Sequence, residues 1–243
     1  MRPLHLPLMV VITASCGGSP PPHAEEATAS SAAIVAPESE PTPSPPPPPL
    51  VMPTACAPGD ADTCMPGVAF ADRVCAASHA DVALALFAKG SPWTRIYLRG
   101  DVDGWNAEGG ASTRARLLFD EEVLVLKRRA PAGGAAIVVG ASGGYQVMRW
   151  DGNCYSLEEG EVTRRRPPRA KHPGIPWKLL DEKTQNVLLG DAGVKAAYDK
   201  RRKECKGVTV GEVSLGCEQA DTAFSDGIVT AVKSGISLPT PAL

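Results

Sequence analysis

Gly140-Ala141-Ser142-Gly143-Gly144 satisfies the G-x-S-x-G spacing that presents a serine nucleophile on a sharp strand-to-helix turn. That turn needs a helix after the serine. Here the following Tyr145-Gln146-Val147-Met148-Arg149-Trp150 reads as a second strand. Ser142 is therefore expected in a hairpin turn, and hydrolysis at Ser142 is the weakest function considered. Asp101-Val102-Asp103-Gly104 begins like a calcium loop. Its glycine stands at the fourth position and Trp105 at the fifth, where an EF-hand needs an oxygen, with glycine at the sixth. Glu108 and Asn106 would add oxygens to a weak, unrelated cation site, and no metal or other cofactor is assigned. Of the 4 histidines, His5 and His23 lie near the N-terminus, and neither His79 nor His172 has a triad context. Nothing among these residues assembles acid, base and nucleophile, so the chain is read as non-enzymatic.

The 7 cysteines say more. Cys16 stands apart; Cys56, Cys64, Cys75, Cys154, Cys205 and Cys217 remain, an even set that reads as disulfides in an exported chain. No C-x-x-C occurs and the spacings match no common zinc pattern. Six cysteines allow 15 connectivities. The loop from Cys56 to Cys64 closes on itself or is stapled to Cys75. Cys205 ends one expected helix and Cys217 begins the next, so a helical hairpin favours their pairing.

The N-terminus carries one charge, Arg2, then a mostly apolar run from Leu4 to Ile12 broken by His5 and Pro7. A membrane-spanning helix takes about 20 apolar residues, so this run has the size of a secretory signal instead. It closes with Ile12-Thr13-Ala14-Ser15-Cys16, which resembles the lipobox of bacterial lipoproteins. The resemblance implies a signal peptide over residues 1–15 and acylation (palmitate among the acyl groups) of Cys16. Gly17 follows where an inner-membrane retention signal would place Asp, and the resemblance to lipoproteins then implies the outer membrane and an extracytoplasmic location in the cell envelope. Two or three acyl chains hold a protein firmly, whereas one alone binds marginally.

Residues 16–53 read as a disordered tether. Twelve of the 24 prolines fall between Ser19 and Pro53, including the run Pro45 to Pro49. Proline fixes φ and removes a donor, so the stretch is expected to be extended, at about 3.1 Å per residue where polyproline II forms. A spacer explains it better than a docking motif does.

The remainder divides into a Cys-rich β region with a leading helix (54–162), a basic connector (163–176) and a helical part (177–243). Asp81 is expected to cap a helix from Val82 to Lys89, closed by Gly90. Strand patterns follow at Trp93–Leu98, Arg116–Phe119, Val123–Leu126, Ala136–Val139, Tyr145–Trp150 and Asn153–Leu157, with Asp120-Glu121-Glu122 and Asp151-Gly152 as turns. Gly100–Ser112 reads as a long loop. Pro176 suits the first turn of a helix to Leu189 carrying Leu180, Val187 and Leu188 on one side; Gly190 ends it, and Asp191 caps a second helix that runs to Lys206. A third carries Cys217, Ala220, Phe224, Ile228 and Ala231 at three- and four-residue spacing and ends near Gly235. The fold class is α+β: a small antiparallel β-barrel or sheet, then a C-terminal helical hairpin, stapled by disulfides.

Residues 93–162, above all Glu121-Glu122-Val123-Leu124-Val125-Leu126 and Tyr145-Gln146-Val147-Met148-Arg149-Trp150-Asp151-Gly152, resemble a bacterial Src-homology-3-like barrel. That resemblance implies a binding loop at Gly100–Ser112 and recognition of peptidoglycan or peptides. Trp105, Tyr97, Asp101 and Asp103 are the candidate contacts, with Trp93 assigned to the core. The expected function is thus a membrane-anchored, non-catalytic binding or structural protein of the envelope. Its alternative is an accessory subunit docked on another exported protein through the helical hairpin. A formal charge of −2, or −3 once Arg2 leaves with the signal, argues against nucleic acid. Arg164-Arg165-Arg166 and Lys200-Arg201-Arg202-Lys203 have the charge for lipid phosphate or an acidic partner, although a solvated connector and a helix end are the plainer readings.

Overall fold

The computed structural model describes residues 51–56, 64–106, 113–129, 143–209, 211–212 and 214–241. The expected signal peptide, Cys16, most of the expected tether, the strand expected at Ala136–Val139, Glu108 and Ser142 lie outside the described residues. Two helices, α1 (Val68–Val74) and α2 (Ala80–Phe87), precede the strands. These are β1 (Arg95–Leu98), β2 (Val102–Asn106), β3 (Thr113–Leu117), β4 (Glu122–Arg129), β5 (Gly144–Met148), β6 (Cys154–Glu158) and β7 (Val162–Thr163). Helices α3 (Glu182–Leu189), α4 (Ala192–Glu204) and α5 (Leu215–Ser234) complete the order. The strands form one antiparallel sheet in the order β3-β2-β6-β5-β4-β1-β7.

Of barrel or sheet, the chain builds the sheet, and it is open: among the described residues β3 and β7 each pair on one side only. It nevertheless curls. Leu117 of β3 shares one apolar cluster with Ile96 and Leu98 of β1 and Val162 of β7, strands from opposite ends of the order. The unbroken apolar run of β4 follows from burial on both faces, because a strand alternates its side chains. Val123 and Val125 join the cluster inside the curl. Leu124 and Leu126 face the helices, beside Met148 and Trp150.

All five α-helices among the described residues contribute to that second cluster, so the C-terminal helices share a core with α1 and α2 over the face that carries Leu124 and Leu126. Phe87 stacks on Trp150 with centroids 4.1 Å apart. Trp177, Tyr198 and Phe224 meet at 5.1–5.4 Å, joining α4 and α5 to the segment before α3. Burying each such large side chain contributes roughly 1.5–3 kcal/mol. Trp93 lies in this core, as its place at a strand start suggests.

The three disulfides are Cys56–Cys64, Cys75–Cys154 and Cys205–Cys217. The small loop therefore closes on itself. Cys205 is the C-cap of α4 and Cys217 lies in the first turn of α5, as the hairpin requires. Asp191 caps α4 by accepting from Val194 N at 2.9 Å, and Gly235 ends α5 with φ 105°. At the β5–β6 turn Gly152 adopts φ 84°, and a Cβ there would stand 2.4 Å from Ala80 N; both facts demand glycine in the Asp151-Gly152 hairpin.

The structure corrects five expectations. The helix placed at Val82–Lys89 is α2, two residues earlier, with His79 as its N-cap. Asp81 does not cap it; its carboxylate reaches across to accept from Asp181 N at 3.0 Å. The helix placed from Pro176 is interrupted: a 3-10 turn at Trp177–Leu179 gives way to extended Leu180, and Asp181 starts α3 by accepting from Thr184 N at 2.6 Å. An aspartate side chain satisfies an orphan helix N–H well, and this sets the boundary. The stretch Gly100–Ser112 is not all loop, since it contains β2, and the strand placed at Arg116–Phe119 is β3 at Thr113–Leu117. Helix α1 has no counterpart among the expectations.

Burial raises the Asp81 pKa above its ordinary value of 3.8, the largest cause being desolvation. Its Oδ1 is buried without a hydrogen-bond partner among the described residues. A raised native pKa means that the stability tied to this group is present below 3.8 and is lost as pH rises through the native value. Asp81→Asn, which keeps an acceptor for Asp181 N, is expected to raise the thermal midpoint at pH 7. The gain should vanish when the melts are repeated below pH 3.8. A gain that does not depend on pH would show that the charge is not its source.

Candidate functional site

Strand β2 has Asp101 immediately before it and carries Asp103 and Trp105, so alternation sets these three on the solvent face. Opposite them, β3 supplies Arg116, in register with Asp103, and Arg114, in register with Trp105. The charged groups interleave. Arg116 pairs with Asp101 at 2.8 Å, Arg114 pairs with Asp103, and the Arg114 guanidinium lies 5.2 Å from the Trp105 ring centroid. Trp105 is 49% exposed at the end of this ladder. A cation over the indole face restricts the ring at little cost in burial.

The other face of β2 holds the platform rigid. A Cβ at Gly104 would stand 2.4 Å from Leu117 Cδ1 and 2.9 Å from Tyr155 Cδ1, so glycine lets β2 lie against both side chains. Asp101 also fastens the β3–β4 turn, because its Oδ1 accepts from Phe119 N at 2.8 Å. That backbone bond, then the Arg116 bond, hold its carboxyl below the ordinary range. Asp101 and Asp103 thus spend their oxygens on arginines and a backbone N–H. Among the described residues no group of three or more His, Cys, Asp or Glu side chains could hold a metal ion.

Tyr97 belongs elsewhere. It is buried in β1, with its hydroxyl 3.4 Å from Glu122 Oε1, and it is not part of the exposed ladder. Burial, then the Glu122 charge, push its pKa up. Of the four candidate contacts, the structure brings Asp101, Asp103 and Trp105 together and separates Tyr97.

Tyr97 touches a charged network that the strand pattern does not announce. Glu121 is 1% exposed and receives Arg149 Nε at 2.5 Å and an Arg149 terminal nitrogen at 3.1 Å. Glu121 Oε2 also accepts from Leu118 N at 3.0 Å. Its neighbour Glu122 accepts from Trp150 Nε1 at 3.2 Å and pairs with Lys233 of α5 at 2.6 Å. Burial alone would lower the Arg149 pKa, but the Glu121 hydrogen bonds and the Glu121 and Asp151 charges raise it above the ordinary value. The network joins the β3–β4 turn, β5 and α5. One signal for it stands in the sequence: Arg149 has the parity of Tyr145 and Val147, the inward face of β5.

The connector is pinned as well. His172 Nε2 lies 2.8 Å from Asp226 Oδ1 in α5, and Lys171 bridges to Glu121 in parallel. No helix among the described residues is long and apolar enough to cross a membrane. No protein-family model matches the chain, and no curated protein or solved structure matches it. What the chain does must therefore be inferred from its own residues.

Proposed function

We propose that this protein is a lipid-anchored binding protein of the bacterial envelope, held through Cys16 in the outer membrane, that recognises the cell wall without catalysis. The observation that carries the recognition half is Trp105, exposed and propped by Arg114 on a glycine-backed strand. Rigid exposed aromatics contribute contact area with little loss of conformational freedom, and tryptophan is enriched among the residues that dominate binding. The anchoring half rests on Ile12-Thr13-Ala14-Ser15-Cys16 and the proline-rich stretch behind it. The likeness to a Src-homology-3 domain stays within this proposal as an open variant, supported by the curl and short strands of the sheet.

One experiment addresses both halves. The native chain is expected in the membrane fraction and the Cys16→Ser chain in the soluble fraction. The soluble chain should then sediment with isolated sacculi. Adding Trp105→Ala should weaken that retention by about 2 kcal/mol or more without moving the thermal midpoint, because the ring lies outside both cores. A Cys16→Ser chain that stays with the membrane contradicts the anchor. Undiminished retention of the Trp105→Ala chain contradicts the recognition surface.

A further inference from the structure

A groove of about 510 Å³ opens at the other end of the sheet order, beside β1 and β7. Three chain segments wall it: Leu98 and Arg99 at the end of β1, Phe119 and Asp120 in the β3–β4 turn, and the stretch from Thr163 at the end of β7 to Pro168. Such a volume suits a small organic ligand. Arg99, Arg165 and Arg166 all line it, and none of the three forms an ion pair among the described residues. Asp120 is the one carboxylate in the lining. Three guanidiniums against one carboxylate leave a net charge of +2.

The walls are fixed before any ligand arrives. Arg99 N donates to Glu161 O at 2.8 Å, which locks the end of β1 against the approach to β7. Arg165 N donates to Thr163 Oγ1 at 3.1 Å, which turns the chain after β7, and Pro167 and Pro168 then restrict φ. Asp120 sits at φ 62°, held by its N–H on Leu98 O at 3.1 Å and by Lys171 N donating to Asp120 O at 2.9 Å. The Asp101 bond to Phe119 N sets the next wall. Phe119 is 48% exposed there, with Lys171 Nζ 5.9 Å from its centroid.

We infer that this groove binds a phosphate monoester whose phosphate meets Arg99, Arg165 and Arg166 and whose apolar part lies along Phe119 and the prolines. The guanidinium fork matches phosphate oxygens in pairs, and a monoester at neutral pH carries about −1.5 to −2, which balances the groove. A single carboxylate would leave the charge half met. The same chemistry is offered by the monoester headgroup of phosphatidic acid and by a soluble phosphate monoester. The inference does not depend on Trp105, which stands at the other end of the sheet order.

The test uses the full chain with Cys16→Ser, so that no acyl group inserts into lipid, and two probes. Phenyl phosphate is titrated by calorimetry at low salt, and vesicles of phosphatidylcholine with or without phosphatidic acid are sedimented with the chain. Arg165→Ala/Arg166→Ala is expected to weaken binding tenfold or more. Arg164→Ala/Arg169→Ala, which removes the same charge from exposed arginines outside the groove lining, is expected to change it less than twofold. Phe119→Ala should weaken phenyl phosphate several-fold and leave inorganic phosphate unaffected. Binding of phosphatidic acid vesicles that is lost in the Arg165/Arg166 variant assigns the lipid headgroup; binding of phenyl phosphate alone assigns a soluble ester; both support the groove. Failure of both probes to bind, or an equal loss in the two arginine variants, overturns it.

Discussion

Replacing Arg149 with alanine should lower stability by about 3–5 kcal/mol, because it leaves the Glu121 carboxylate buried and unpaired. Both Glu121 oxygens now meet Arg149 nitrogens, and the residue is 1% exposed. A free surface pair is worth about 0–1 kcal/mol, so burial decides the size of the effect. Against a total stability of roughly 5–15 kcal/mol, the loss is a large fraction. The attraction itself contributes little of it; most is the desolvation penalty of the orphaned charge. A companion variant separates the two. Glu121→Gln/Arg149→Met removes both charges but keeps an acceptor for Leu118 N, so it should recover most of the stability that Arg149→Ala loses. Urea denaturation at pH 7 measures all three chains. A loss below about 1 kcal/mol in Arg149→Ala would mean that water reaches Glu121 and that the pair behaves as an exposed one.

The same network separates what is legible in the chain from what is not. Apolar strand patterns locate the middle of the sheet: β4 lies where its unbroken apolar run puts it, and β5 and β6 flank the Asp151-Gly152 turn. Local chemistry likewise places Asp191, Gly235 and the Cys205–Cys217 pairing, since each depends on neighbours in sequence. The departures fall where a distant partner decides. Asp81 has the residue type of a cap, yet its carboxylate serves Asp181, 100 residues away. Pro176 has the form of a helix start, but the Asp181 cap and the two bonds from Gln185 Nε2 to Trp177 O and Leu180 O settle the boundary later. Strand β2 carries no strand signal because Asp, Gly and Asn are poor strand formers, and it is held by pairing with β3 and β6. Tyr97 has the residue type of a groove aromatic, but the fold encloses it in the sheet beside Glu122. The arginine groove is half legible: the charge run is plain in sequence, but the arrival of Arg99 and Phe119 beside it follows only from the sheet order.

Among the disulfides, removal of Cys75–Cys154 should cost the most. It spans 79 residues, against 12 for Cys205–Cys217 and 8 for Cys56–Cys64. A crosslink restricts the unfolded chain more as the loop it closes lengthens, and on that account the 79-residue closure is worth ~4.5 kcal/mol and the 12-residue closure ~2.8 kcal/mol. Packing adds to the ordering. Cys75 and Cys154 are both buried in the helix-side core, where Cys75 caps α1 and Cys154 opens β6. The bond therefore fastens the first helix to the middle of the sheet, a contact otherwise made by a short helix of 7 residues with no side-chain cap. Cys205–Cys217 joins two helices already packed along their length and fixes only their connecting turn. Urea midpoints of the paired alanine variants, Cys75→Ala/Cys154→Ala and Cys205→Ala/Cys217→Ala, test this under non-reducing conditions. The first is expected to lose about 4–5 kcal/mol and the second about 3 kcal/mol. Equal losses would show that loop length does not govern the stabilisation and that native contacts around each bridge do.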